Sequence, residues 1–301
     1  MNLFERMVAT AMNDNALLNP LVMVVEKELL HHDILREMSG AGLLERLTFM
    51  GGTCLRACYG SQRLSEDLGF TGGSDFNQGC LSALPLVLTD KLYRKYGFKV
   101  DVSEPTRESG NVDTWKLKIV TRPKQRGMPI QRINIDICAV PSYDKRPMMV
   151  HNYYDVDMGT SGLILQVESR EEILADKMVA LALRMGRIKN RDLWDIVWLK
   201  QQGMLLSMEL LKQKIRDHHH TLFSYMELLT NRRDLLLNDS SARADFESEM
   251  KRFLPLSIVK NTIENSAFWE YLLNSVVGVC DQVIVGLTET VPVPSFNMGQ
   301  V

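Results

Sequence analysis

Hydrophobic positions in the first forty residues recur at helical spacing. Residues 3–13 read as one helix and 19–40 as a second, in which Leu21, Val24, Val25, Leu29 and Leu30 share a stripe that Ile34 and Leu35 extend. Gly40 and Gly42 close it. The period then shortens. Leu47–Met50 is a brief apolar run ahead of two glycines and reads as a strand. Residues 53–60 return to a helix with Gly60 as its C-cap, and Asp67–Phe70 reads as a strand before a Thr71-Gly72-Gly73-Ser74 turn. A helix is predicted over 80–95, starting late or kinked at Pro85 and stopped by Gly97. Three strand-like runs follow, Phe98–Val102, Trp115–Val120 and Ile133–Cys138. In the last, Ile133, Ile135 and Ile137 alternate with Asn134, Asp136 and Cys138, so Asp136 points away from the apolar layer. Past about residue 168 the strand signal fades, and helices are predicted over 171–185, 191–202, 207–215, 219–229, 243–253 and 255–277. The pattern predicts an α+β chain: an α/β unit with its leading helices over 1–168, a helical unit over 169–290, and a poorly ordered tail over 291–301 behind Pro292 and Pro294.

Composition narrows the class without naming it. With 301 residues the chain has room for one large domain or two, and at 45% hydrophobic and 24% charged it buries a core without staples. A net charge of −2 argues against sticking to nucleic acid all over the surface, but it allows a local basic groove. The five cysteines, Cys54, Cys58, Cys80, Cys138 and Cys280, form neither a disulfide framework nor a zinc pattern, which points to a reducing, cytoplasmic setting. The start MNLFERMVAT lacks an apolar signal core, and no window of about twenty apolar residues is evident, so no membrane span is expected. His218-His219-His220 would point in three directions on a helix, which makes a shared metal a poor fit. His31-His32 reads as a helix surface or interface, and Trp194 and Trp198 read as core.

The candidate chemistry begins at Gly51-Gly52-Thr53, where glycines allow close backbone approach and a helix N-terminus favours an anion. Asp67 and Asp136 are candidate metal ligands on two strands. Spacing alone does not separate that reading from a turn cap and a solvated strand residue. Lys177 and Arg184 lie seven apart and project charge to one surface, as ordinary solvated cations also would. The loop Arg122–Arg132, with Lys124 and Arg126, and the pair Arg232-Arg233 offer contacts to an RNA backbone, solvated loops being the alternative.

The run GGTCLRACYG…RLSEDLGF, followed by EEILADKMVALALR…KNRDLWDIVWL, resembles the AbiEii/AbiGii group of nucleotidyltransferase toxins over roughly residues 45–200. The resemblance implies a DNA polymerase β-like nucleotidyltransferase fold: a mixed sheet flanked by helices, with a C-terminal helical domain. It implies a nucleoside triphosphate (NTP) substrate and Mg²⁺. By position it makes Gly51, Gly52 and Thr53 the phosphate turn, with Arg63 and Ser65 also nucleotide-binding. Asp67 becomes the first carboxylate of an Asp-x-Asp pair, Asp136 a third ligand, Lys177 the triphosphate lysine, and Asp192 and Asp195 the late acidic positions, one of which assists the acceptor or organises the site; Asp67, Lys177, Asp192 and Asp195 are the implied catalytic set. It further implies an RNA acceptor, with the 3′ end of tRNA leading. A cognate antitoxin is implied too, with or without direct contact, and a role in abortive phage defence.

One position departs from the family. Where the second aspartate is expected, the chain has Gly69. Loss of a paired ligand weakens two-metal chemistry. The explanations are a disabling change in an otherwise intact enzyme, which ranks first, a degenerate homologue, or replacement by Glu66 or Asp75. Glu66 alternates to the other strand face and Asp75 lies past a glycine turn. The departure also raises a non-catalytic nucleotide- or RNA-binding relative as a rival, and protein nucleotidylation as a second one.

Overall fold

The computed structural model describes residues 1–13, 16–106, 110–122 and 130–289. Helix α1 (Leu3–Asn13) leads through a 3-10 turn to α2 (Val22–Gly40). Then come β1 (Thr48–Met50), α3 (Gly51–Tyr59), β2 (Leu68–Thr71) and, after a second 3-10 turn, α4 (Leu84–Tyr96). The strands β3 (Lys99–Ser103), β4 (Val112–Val120), β5 (Gln131–Cys138), β6 (Lys145–Met149) and β7 (Ile164–Glu168) complete one seven-stranded sheet in the order β3-β4-β5-β2-β1-β7-β6. The pairings β2–β5 and β1–β7 are parallel and the other four antiparallel, so the sheet is mixed.

Alternation decides the two faces. Phe49, Leu68, Phe70, Ile133, Ile135, Ile137, Trp115 and Leu117 are buried in the core. Phe49 and Phe70 lie 5.1 Å apart across the β1–β2 register. The opposite face carries a different row. Thr114, Asp136, Gly69 and Met50 are register partners across β4, β5, β2 and β1.

Every described element after β7 is helical: α5 (Arg170–Leu183), α6 (Asn190–Gln201), α7 (Met208–Asp217), α8 (Leu222–Asn238), α9 (Ala242–Met250), α10 (Leu256–Asn261) and α11 (Phe268–Thr288). Ser169 caps α5, its hydroxyl accepting from the Glu172 amide, with Glu171 and Glu172 in the first turn.

Several expectations are corrected. Strands β6 and β7 carry no sequence signal of the expected kind. Strand β6 is nearly all exposed and contains Pro147, which an edge strand tolerates because no partner needs its missing donor. The single helix expected over 255–277 is two. Its break lies at Thr262–Ala267, where the Asn265 side chain accepts from the Ala267 amide and competes with helical bonding. Helix α11 is, by length and composition, long and apolar enough to cross a membrane, contrary to the expectation that no such window exists. It buries Leu272, Val276, Val279 and Val283 on one stripe, and Asp281 on its surface pairs with Arg233 at 2.7 Å. His31 and His32 are buried, not on a surface: a ring nitrogen of His31 lies 3.0 Å from the Glu66 carbonyl oxygen, and one of His32 lies 2.8 Å from the Thr160 hydroxyl. Burial lowers both imidazoles to about 4, so they are neutral. The tail over 291–301 lies outside the described residues.

Candidate active site

A cleft of about 190 Å³ lies between the polar face of the sheet and helices α5 and α6. Its floor is the start of α3. Gly51 adopts the left-handed region at φ +74°, which a side chain resists, and no side chain caps the helix, so its first amides are uncommitted. Gly52 is glycine for a different reason. A Cβ there would overlap the Arg63 guanidinium, which cannot retreat. Arg63 is buried in a two-point pair with Asp195, Nε to Oδ1 at 2.8 Å and Nη2 to Oδ2 at 2.9 Å. Thr53 is also buried. Its hydroxyl donates to the Asp67 carbonyl and sits 2.8 Å from the Ser65 hydroxyl, so it braces the Asp67 segment. Ser65 lines the cleft.

The sheet wall carries the carboxylates. Asp67 accepts from the Asn134 amide at 3.0 Å, and Asp136 accepts from the Thr114 hydroxyl at 2.7 Å. Burial raises the Asp136 carboxyl above its usual range; the Thr114 hydrogen bond opposes this and the charge of Asp67 adds to it. Each carboxylate uses one oxygen on a protein donor and keeps the other. Gly69 sits directly across the β2–β5 register from Asp136. A Cβ on Gly69 would meet the Met50 carbonyl at 3.5 Å and Met50 Cγ at 3.7 Å, ordinary contact, so nothing in the backbone demands glycine. Neither proposed replacement is free. Glu66 pairs with Lys27 at 2.6 Å and Arg191 at 3.5 Å, and Asp75 pairs with Arg46 on the exposed surface.

Among the described residues no cluster of three His, Cys, Asp or Glu side chains could hold a metal on its own. Mg²⁺ is commonly held by one or two carboxylates together with substrate phosphates and waters. Asp67 and Asp136 therefore fit one such ion arriving with a triphosphate. They do not fit a two-metal clamp, which needs a further carboxylate where Gly69 stands.

The helix wall is cationic. Lys177 on α5 lies 2.6 Å from Asp192 and 2.8 Å from Asp195, both on α6. Burial works against its charge, but those two carboxylates raise it above the usual lysine value. Asp192 is held well below the carboxylate range: burial opposes its charge, and Lys177, Lys189 and Arg184 overcome that. Asp195 is fully buried behind the cleft and orients Lys177 and Arg63 rather than facing a ligand. Arg184 reaches Asp192 at 3.4 Å.

Lys189 was not singled out by sequence. It lines the cleft at the N-cap of α6 and makes no ion pair within 4 Å among the described residues. Burial pushes its ammonium down to about 8, opposed by Asp192 and reinforced by Lys177, Arg191 and Arg184. Asp176, also missed, lines the cleft and pairs at 3.2 Å with the buried Lys214, which Glu168 and Glu172 share. A lysine or aspartate in a helical run shows nothing by itself; only the tertiary pairing separates the free ammonium from the tied one.

The RNA-contact candidates fare differently. Arg232 donates to the carbonyls of Arg184 and Gly186, and Arg233 pairs with Asp281 and Asp234. Arg122 pairs with buried Glu26. Lys124 and Arg126 lie outside the described residues.

A glycine turn at a bare helix start, carboxylates on β5 and at the entry to β2, and cations along the facing helices define a nucleotidyltransferase on a mixed sheet. Residues 33–273 match the family described as "Nucleotidyl transferase AbiEii toxin, Type IV TA system", and the chain belongs to that family of toxin–antitoxin nucleotidyltransferases. In fold it is similar to MenT4, a nucleotidyltransferase toxin from Mycobacterium tuberculosis H37Rv, at TM-score 0.55 and 14% identity over 95% of this chain and 91% of that one. JHP933 from Helicobacter pylori aligns at TM-score 0.45 and 15% identity over 89% of this chain and 94% of that one. No curated protein matches the sequence.

Proposed function

We propose that this toxin moves a nucleotidyl group from an NTP carried with Mg²⁺ onto an RNA acceptor, the 3′ end of tRNA first among them. The observation that carries the reading is Lys189. An ammonium with no ion pair within 4 Å among the described residues faces a cleft whose floor is an uncapped helix N-terminus. Those are two independent attractions for phosphate. The α3 amides and Lys189 hold the triphosphate, while Lys177 and Arg184, already tied to Asp192, shape the wall around it. Asp67 and Asp136 would hold the ion, and it would supply neutralisation of charge on the phosphates. An antitoxin opposing this chemistry has no need to touch the chain.

With Gly69 in place the transfer is slow, because the second ion has no ligand on β2. Gly69 also favours one other reading, a relative that binds nucleotide or RNA without chemistry. Labelled NTPs offered with separate RNA and protein pools decide between them. Label on RNA supports transfer, label on protein redirects it, and binding without label on either pool supports the binding module.

A further inference from the structure

Beyond Gly69 the cleft opens into a second chamber of about 540 Å³. Met50, Gly69, Asp136, Asp176, Ala180 and Arg184 line both spaces, so the two are continuous. The geometry of the walls explains the change in character between them. Strands β2 and β5 run parallel, so the step from Gly69 to Thr71 matches the step from Asp136 to Cys138. The chamber therefore extends about 7 Å further along both strands than the shared Gly69 and Asp136. From α5 the chamber gains Val179 and Leu183 and loses Lys177, while Asp176 and Ala180 are shared. Beyond the shared Asp136, Asp176 and Arg184 the lining turns largely apolar: Phe70, Val112, Val140, Val179 and Leu183. Away from the shared Asp136, Asp176 and Arg184, Asn111 and His218 form a polar edge. The Asn111 amide nitrogen lies 3.3 Å from His218 Nδ1. Burial lowers the His218 imidazole, with Asp176 opposing, so the ring is neutral and Nδ1 accepts from Asn111. That leaves His218 Nε2–H as a donor and the Asn111 carboxamide oxygen as an acceptor.

We infer that this chamber is a nucleobase pocket, entered across Gly69 from the phosphate cleft. The inference rests on the transfer reading above and deepens it. A space of a few hundred Å³ with apolar walls and a few fixed polar groups is the usual form of a small-molecule site. One end of the combined cleft is cationic and the other apolar, with a donor and an acceptor at the apolar end. A phosphorylated nucleoside has the same polarity: charge at one end, a planar heterocycle with edge hydrogen-bonding groups at the other. The glycine gives that body a threshold without a side chain. Two sources supply an unpaired base, the incoming NTP and the 3′ end of the acceptor RNA.

The test fills the chamber at its edge. Val112 is 44% exposed on β4, so Val112→Trp intrudes without emptying the core. Asn111→Ala removes the polar edge in a second variant that keeps the volume. Both are compared with wild type by calorimetry using tripolyphosphate, the four NTPs, the four nucleosides and a short RNA with an unpaired 3′ end. Circular dichroism confirms folding. The expected result is a tenfold or greater loss of NTP affinity in Val112→Trp with tripolyphosphate held within twofold, and a smaller, base-selective loss in Asn111→Ala. That result places the incoming base in the chamber. A tenfold loss for RNA with NTP affinity unchanged places the acceptor's base there. Unchanged affinity for both ligands in both variants overturns the pocket, and so does a wild type that binds neither NTP nor RNA. A wild type that binds NTP and tripolyphosphate but labels no acceptor sinks the transfer reading alone, leaving the pocket to be judged on the binding data.

Discussion

The two walls of the cleft are built to different standards. On the helix wall, Lys177, Asp192, Asp195 and Arg63 form a buried chain of ion pairs in which each charge has a partner within 3 Å. On the sheet wall, the row Thr114–Asp136–Gly69–Met50 has one carboxylate where two are expected, and no side chain fills the gap. Nothing structural compels that gap, since the backbone at Gly69 accepts a Cβ in ordinary contact. On these contacts the helix wall's charges depend on one another, whereas a side chain at position 69 would disturb no packed partner.

The comparison is broken most forcefully on the helix wall. Asp195→Ala leaves Arg63 and part of Lys177 buried without a counter-charge. Stability should fall by about 3–5 kcal/mol in denaturant unfolding, as when one partner of a buried pair is removed. A loss below about 1 kcal/mol would show that the wall is not structural. The next largest effect separates the two lysines. Lys189→Ala should weaken NTP affinity by about tenfold to a hundredfold, the scale of one charge-assisted hydrogen bond, with stability nearly unchanged. Lys177→Ala should cost stability as well as affinity. If Lys189→Ala binds NTP normally, Lys177 is the phosphate lysine after all.

A pH titration sharpens the same point. The Lys189 ammonium sits near 8 among Asp192, Lys177, Arg191, Arg184 and Asp136. Bound phosphate favours its charged form, so the pKa rises in the complex. Affinity is therefore flat below pH 8 and falls above it, by at most about tenfold per pH unit. Lys189→Arg keeps its charge and should remove the decline. A fall of equal steepness in that variant would assign it to another group. The smallest expected effect is on the sheet wall. Gly69→Asp crowds three carboxylates, so it should melt slightly below wild type in EDTA and gain about 1 kcal/mol from millimolar Mg²⁺, more than wild type gains. Equal Mg²⁺ shifts in both proteins would show that position 69 does not reach the ion.

Much of this was legible because local rules and tertiary structure agree. Alternation of Ile133, Ile135 and Ile137 put β5 in the sheet with Asp136 on its polar face, and Gly60 ends α3 in the left-handed conformation that a C-cap requires. The ordered blocks around Asp67 and Lys177 pointed to the family, and residues 33–273 match it. Where the rules are silent, the reading stopped. Strand β6 has no apolar face to alternate, and β7 is five residues long. The resemblance placed Thr53 and Arg63 among the nucleotide-binding positions and Asp195 among the catalytic ones because motifs mark proximity to a site. Only packing shows that Thr53 braces a loop and that Arg63 and Asp195 neutralise each other. Lys189 was passed over for the same reason in reverse: its distinguishing property is a partner it lacks.

The central claim is that the phosphate-holding wall is intact and the metal-holding wall is reduced at one residue. Nucleotide transfer from α-labelled NTPs to RNA, measured for wild type and Gly69→Asp across a Mg²⁺ series, tests it most directly. The account predicts similar NTP affinity in the two proteins, at least tenfold faster transfer by Gly69→Asp, and saturation of that variant at lower Mg²⁺. Equal and robust transfer by both proteins over the same Mg²⁺ range would contradict it.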